Sequence, residues 1–336
     1  MTLIVGLRGV NKSYLAADSR LTNTATGEYS DDVSKWMNFG KLATCVVAGN
    51  AAMAAFICEA VLAIAGIEPS YQDVKTIFDR DLENLAKQFN VTTGKYASCV
   101  IMLAGYRTDV KDSFDMGKIG MAMGASVRKA AGKTVQQSID PEILKAMDSV
   151  FKDASPEEWA KEGIGRGVRA TINRPKSEIT AYDVQLDGSG VHIRTAEADT
   201  YEALIYGADT ATNKLELPAE ITSEIFFRDV KGMDMYDVLS LDGVYFVAFI
   251  NDTIKQRRYT NVGGNIISLF ITPELHGFAS GQAGMIDPKT GQSIILNDIE
   301  VIDGKMHYKD KDGAFMPYRS LLDIKTEAGF SDDLQL

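Results

Sequence analysis

The chain opens directly on an apolar strand. Met1-Thr2-Leu3-Ile4-Val5-Gly6-Leu7 is followed by a turn at Arg8-Gly9-Val10-Asn11-Lys12 and then by Tyr14-Leu15-Ala16-Ala17-Asp18-Ser19-Arg20. No charged n-region and no apolar h-region precede the strand, so it does not read as a signal peptide. An opening this apolar is expected to be buried. That constrains the fold, because the first residues of most domains fray and an α-amino group is costly to desolvate. Residue 2 offers a chemical reason for burial. Thr2 is small enough for the initiator methionine to be removed, and an N-terminal threonine then carries an alcohol nucleophile and an amine base on one residue.

The remaining parts of that chemistry can be sought by spacing. The second strand ends in Ala17-Asp18-Ser19-Arg20, which puts a carboxylate where a two-stranded hairpin returns to the level of its first residues. Asp18 is therefore expected beside Thr2. Lys35 precedes a weakly apolar strand, and the next strand, Leu42-Ala43-Thr44-Cys45-Val46-Val47-Ala48, stops at Gly49 before a helix. Backbone N–H groups at such a helix N-terminus are suited to an oxyanion, which makes Gly49 the candidate donor. Nucleophile, carboxylate, ammonium and oxyanion donor thus occur in order.

Thr2, the Ala-Ala-Asp-Ser-Arg at 16–20, Lys35 and the Gly49 fourteen residues later resemble the proteasome β-subunits and the bacterial HslV peptidase, members of the N-terminal-nucleophile hydrolases. The resemblance covers about residues 2–200 and is most specific in the first 65. It implies a four-layer αββα sandwich. It also implies an apolar pocket for the residue preceding the cleaved bond, lined by Leu21, Val47 and Ala51. Two further serines of the family site map to Ser126 and Ser177. Ser126 is displaced by one residue from the family's Gly-Ser-Gly turn, and Arg174 stands where the family's Asp-x-x-Ser turn has its aspartate. The resemblance implies peptide or unfolded-protein substrates, a homo-oligomeric ring or barrel, and an ATP-dependent unfoldase as a candidate partner. It implies no cofactor.

Composition narrows the remaining classes. The 336 residues are 45% hydrophobic and 24% charged, an ordinary globular balance. Of the net charge of −11, about −9 falls after residue 200. An acidic second half argues against a nucleic-acid partner, and no apolar run reaches the ~18 residues that span a bilayer. Cys45, Cys58 and Cys99 lack metal-type spacing and read as buried free thiols of a cytoplasmic protein. The three histidines, His192, His276 and His307, are far apart without triad or metal companions and are assigned to structure, so no metal is expected.

Along the chain, 21–32 reads as a surface loop and 51–65 as an Ala-rich helix apolar nearly all round, buried between a sheet and another subunit. A second helix begins at Ser70, with Val74, Ile77, Phe78, Leu82, Leu85 and Phe89 on one face. A central strand at 96–104, a short polar strand pair at 108–119, helices at 141–152 and 156–172, and a hairpin across Asp187-Gly188-Ser189-Gly190 follow. This order is α+β. Residues 201–336 have no family counterpart. Their apolar runs, 244–250 and 265–271 among them, alternate with turns and read as an acidic, mainly β appended domain, and the last six residues as a fraying end.

These features predict a threonine peptidase. The freed α-amine, with an ordinary pKa of ~8, takes the Thr2 proton, while a protonated Lys35 paired with Asp18 keeps that amine neutral. An amidohydrolase with the same nucleophile is compatible with the same residues. The alternative from a different class is a non-catalytic proteasome-like assembly or scaffold protein whose C-terminal domain binds a partner. Arg174 and the displaced Ser126 favour it.

Overall fold

The computed structural model describes residues 2–10, 12–40, 43–121, 143, 145, 168–207, 210–216, 222, 225–226, 238–239, 242–243, 245–247, 249–250, 262–274, 276–278, 281–286, 293–302, 305–310, 312–328 and 334–336. The fold is mixed α+β. Its first sheet has six antiparallel strands in the order β12-β11-β1-β2-β13-β14. These are β1 (Ile4–Leu7), β2 (Ser13–Asp18), β11 (Glu202–Gly207), β12 (Thr210–Glu216), β13 (Ile266–Ile271) and β14 (His276–Phe278). The second sheet, β10-β9-β8-β7-β6, comprises β6 (Trp36–Gly40), β7 (Ala43–Gly49), β8 (Ala97–Asp115), β9 (Arg169–Asp187) and β10 (Gly190–Glu197).

The near-continuous apolar strands are explained by what covers them. Along β2, Leu15 and Ala17 face one cluster while Tyr14 and Ala16 face another; along β7, Val46 and Ala48 alternate with Cys45 and Val47. Leu15, Ala17, Val46 and Ala48 meet in a shared core with Ile4, Met102, Ala104, Ile179 and Ile267, so the two sheets pack face to face. Cys45, Val47, Ile101 and Val184 instead pack under α1 (Ala51–Ala65), α2 (Tyr71–Thr93) and α3 (Leu321–Ala328). Leu3, Val5, Tyr14 and Ala16 pack under the helical residues Ile225, Leu239, Phe246, Val247 and Ile250. A strand apolar on both faces needs cover on both faces, and here both are covered.

Both early helices start where expected. Asn50 caps α1, accepting from the Met53 N–H at 2.8 Å, and Ser70 forms a capping box with Asp73 on α2. Cys45, Cys58 and Cys99 are buried and free.

Several elements differ from the sequence reading. The stretch 21–32 carries two short strands, β3 (Leu21–Asn23) and β4 (Tyr29–Ser30), and the expected strand pair at 108–119 is the continuation of β8 as far as Asp115. The helix expected at 156–172 gives way at its end to β9, which starts at Arg169; the glycines at 163, 165 and 167 lie outside the described residues. Tyr245, Phe246, Val247, Phe249 and Ile250 are helical, not extended. A short wholly apolar run has no periodicity to separate buried helix from buried strand, and this one covers the outer face of a sheet.

Residues after 200, expected as an appended domain, supply β11, β12, β13 and β14 to the same sheet as β1 and β2. β13 pairs with β2 from Ile266 opposite Asp18 to Ile271 opposite Ser13. A four-stranded antiparallel sheet follows, from β15 (Gly281–Ile286) through β16 (Ser293–Ile302) and β17 (Lys305–Lys309) to β18 (Phe315–Pro317). β19 (Arg319–Ser320) pairs in parallel with β5 (Val33–Ser34), and Arg319 grips Asp32 with two hydrogen bonds of 2.8 Å. The terminal residues form β20 (Leu334–Gln335) on β3, where fraying was expected.

Candidate active site

The register of the opening hairpin decides what stands beside residue 2. Ile4 lies opposite Ala17, and one step further Asp18 N–H donates to Leu3 C=O at 3.2 Å while Leu3 N–H donates to Asp18 Oδ1 at 3.0 Å. Lys35 sits between β5 and β6, its carbonyl accepting the Val47 N–H at 3.0 Å. Its ammonium nitrogen reaches Asp18 Oδ1 at 2.9 Å and Thr2 Oγ1 at 2.5 Å. All three side chains are out of solvent, with Thr2 4% exposed and Asp18 and Lys35 at 0%.

A buried lysine loses its hydration, and burial pulls the Lys35 pKa below the ordinary lysine value even though the Asp18 carboxylate raises it. Asp18 takes three donors: Leu3 N–H, Lys35 Nζ and, on its second oxygen, Gly263 N–H at 3.3 Å. A buried ion pair is tolerable when its remaining lone pairs are satisfied in this way. Lys35 in turn is the group within hydrogen-bond reach of the Thr2 hydroxyl.

Gly263 and Gly264 were not singled out from sequence. They lead into β13, and they come so close to the site that side chains would not fit: a Cβ on Gly264, whose φ is +74°, would lie 2.2 Å from Ser19 Oγ. Ser19 N–H donates to Asn265 C=O at 2.9 Å, and Asn265 N–H donates to Ser19 Oγ at 3.0 Å, so this segment is stitched to the residue after Asp18. The available signal was a Gly-Gly pair directly before an apolar strand, which marks close backbone approach. Gly264→Ala is expected to lower stability by about 2 kcal/mol, from positive-φ strain and overpacking. A urea titration that leaves the midpoint in place would contradict this.

Gly49 ends β7 with φ +89°, and a Cβ there would lie 2.6 Å from Ser98 O, so the turn into α1 requires glycine. Its N–H donates to Leu336 C=O at 3.4 Å, and Leu336 N–H donates to Gly49 C=O at 2.7 Å. Leu21, Val47 and Ala51 share one apolar cluster, which also holds Leu336.

The two serines are placed differently. Ser126 lies outside the described residues. Ser177 sits at the far end of β1 from Thr2, donating to Gly9 C=O and accepting from Arg8 Nε at 3.2 Å. Arg8 also pairs with Asp112, fully buried, whose second oxygen accepts Ser177 N–H at 3.4 Å. The structure therefore joins Thr2, Asp18 and Lys35 and puts Ser177 in a separate charge cluster. The segment expected to turn at 170–177 runs instead as strand β9, with Ser177 opposite Tyr106 and Arg174 exposed.

No family model matches the chain, and no curated protein matches it. Among the described residues, no helix is long and apolar enough to cross a membrane.

Proposed function

We propose that this chain is an N-terminal threonine peptidase of the proteasome β-subunit and HslV-like type, acting inside a self-compartmentalised ring or barrel of identical subunits. The observation that carries the reading is the buried contact of Lys35 Nζ with both Thr2 Oγ1, at 2.5 Å, and Asp18 Oδ1, at 2.9 Å. Two facing sheets with helical residues on both outer faces support the four-layer αββα sandwich that goes with it. Ile64 and Ile67, exposed at the end of α1, offer apolar contact area to neighbouring copies.

In the proposed reaction Met1 is removed first. The Thr2 hydroxyl then attacks a peptide carbonyl as its proton passes to Lys35, which burial makes easier to hold neutral. This shifts the base role expected for the α-amine onto the lysine, because Lys35 is the group in contact with the hydroxyl. Asp18 fixes the lysine head and stabilises it once charged. The Gly49 N–H receives the developing oxyanion, a contribution of about 3 kcal/mol where such donors have been removed. The lysine proton leaves with the departing amine, and water hydrolyses the Thr2 ester.

The first test is intact mass combined with a peptide epoxyketone. Loss of the initiator methionine and a covalent adduct on Thr2, absent in Thr2→Ala, are expected. A retained methionine with no adduct under any condition would reject the reading. The rate of adduct formation should rise with pH, because the neutral form of Lys35 is the proton acceptor. Its midpoint should lie below the ordinary lysine pKa, since burial lowers it. Lys35→Met should remove that limb.

One observation favours the non-catalytic scaffold. Ser177, which an active site of this type would place near Thr2, is held by Arg8, Gly9 and Asp112. The adduct experiment decides between the two.

A further inference from the structure

The last residues of the chain behave as a bound peptide. β20 is antiparallel to β3, with Leu334 opposite Asn23 and Gln335 opposite Thr22. The next residue, Leu336, exchanges two backbone hydrogen bonds with Gly49 across the other side. The segment thus bridges two walls that come from different elements. Both walls border the Thr2 cluster: β3 starts three residues after Asp18, and Gly49 lies two residues after Val47, whose N–H is bonded to Lys35 C=O.

Two further observations make this a built cleft. Leu336 is fully buried, in the same apolar cluster as Leu21, Val47 and Ala51. Its carbonyl oxygen lies on the Gly49 N–H, the donor designated for the oxyanion. An extended peptide with one side chain in the pocket and the following carbonyl on that donor is the arrangement a substrate would take up to the residue before the cleaved bond. Main-chain pairing of this kind supplies affinity, and the side-chain pocket supplies selectivity.

We propose that residues 334–336 occupy the peptide cleft of this chain in cis, as a built-in competitor, and that the cleft selects extended peptides presenting leucine at the pocket. The use of the cleft for hydrolysis rests on the peptidase reading; its occupation by the tail does not.

The test uses a fluorescent Ser-Asp-Asp-Leu-Gln-Leu peptide, matching residues 331–336, and the same peptide with aspartate replacing its last leucine. Binding is read by anisotropy in Thr2→Ala protein, so that no cleavage intervenes. Removing residues 331–336 should increase affinity for the leucine peptide at least tenfold over the intact tail, and the aspartate peptide should not bind. Equal affinity with and without the tail, in a truncated protein that still unfolds cooperatively, overturns the proposal. Because Leu336 is part of the core, Leu336→Ala in the full chain provides a second route. It should raise affinity for the leucine peptide and speed exchange of the Gly49 amide, and no change in either is equally fatal. In protein with Thr2 intact, tail removal should also speed adduct formation by the epoxyketone. Peptide binding without any adduct would reject the peptidase and leave the cleft standing.

Discussion

Thr2→Ala is expected to lower peptide hydrolysis by about ten-thousand-fold or more, the scale on which loss of a covalent nucleophile acts. The structural cost should be small by comparison. The hydroxyl makes one hydrogen bond at 2.5 Å, to Lys35, and Lys35 keeps Asp18 when the hydroxyl is gone. Deleting one partner of a single such bond costs about 1 kcal/mol. The two numbers together are diagnostic. A folded Thr2→Ala protein that still hydrolyses peptide at the wild-type rate would show that the chemistry, if any, resides elsewhere. Thr2→Ser keeps an alcohol at the same place and should retain the adduct with the epoxyketone.

Asp18→Ala has the largest expected effect on stability. Lys35 is fully buried, and Asp18 is the carboxylate bonded to it; the Leu3 and Gly263 N–H groups also lose their acceptor. Breaking a buried ion pair from one side costs about 3–5 kcal/mol, against a total of about 5–15 kcal/mol for a typical domain. The loss should depend on pH in a defined direction. Lys35 already has a folded-state pKa below its ordinary value, through burial, and Asp18 is what raises it. Without Asp18 the folded state binds the lysine proton more weakly still, while the unfolded state binds it as before. Stability of Asp18→Ala should therefore rise with pH up to the ordinary lysine pKa, narrowing the gap to wild type. Asp18→Asn, which preserves an acceptor for Leu3, should lose less. A denaturation midpoint for Asp18→Ala within error of wild type at neutral pH would mean that the pair contributes nothing net.

Much of the site was legible because it is local in the chain. A hairpin with a five-residue turn returns Asp18 to residue 3 by register alone, and strand parity then orients the pair. Lys35 and Gly49 sit at strand ends, where Gly49 is required by its positive φ. The α1 and α2 boundaries followed from Asn50, Ser70 and apolar spacing. The helical state of 245–250 was not legible, since an unbroken apolar run carries neither period. Nor was β9 from Arg169, whose extended state follows from pairing with the far end of β8.

What the sequence determined by itself, then, is the α+β class and the identity and order of Thr2, Asp18, Lys35 and Gly49, because turns, caps and alternation act over a few residues. What only the tertiary structure decided are contacts between distant segments. β13 lies against β2, Gly263 closes on Asp18, Ser177 is drawn to Arg8 and Asp112, and Leu336 is laid between β3 and Gly49. Each of those depends on which edge or pocket remained free once the rest had packed, and no short stretch of residues carries that information.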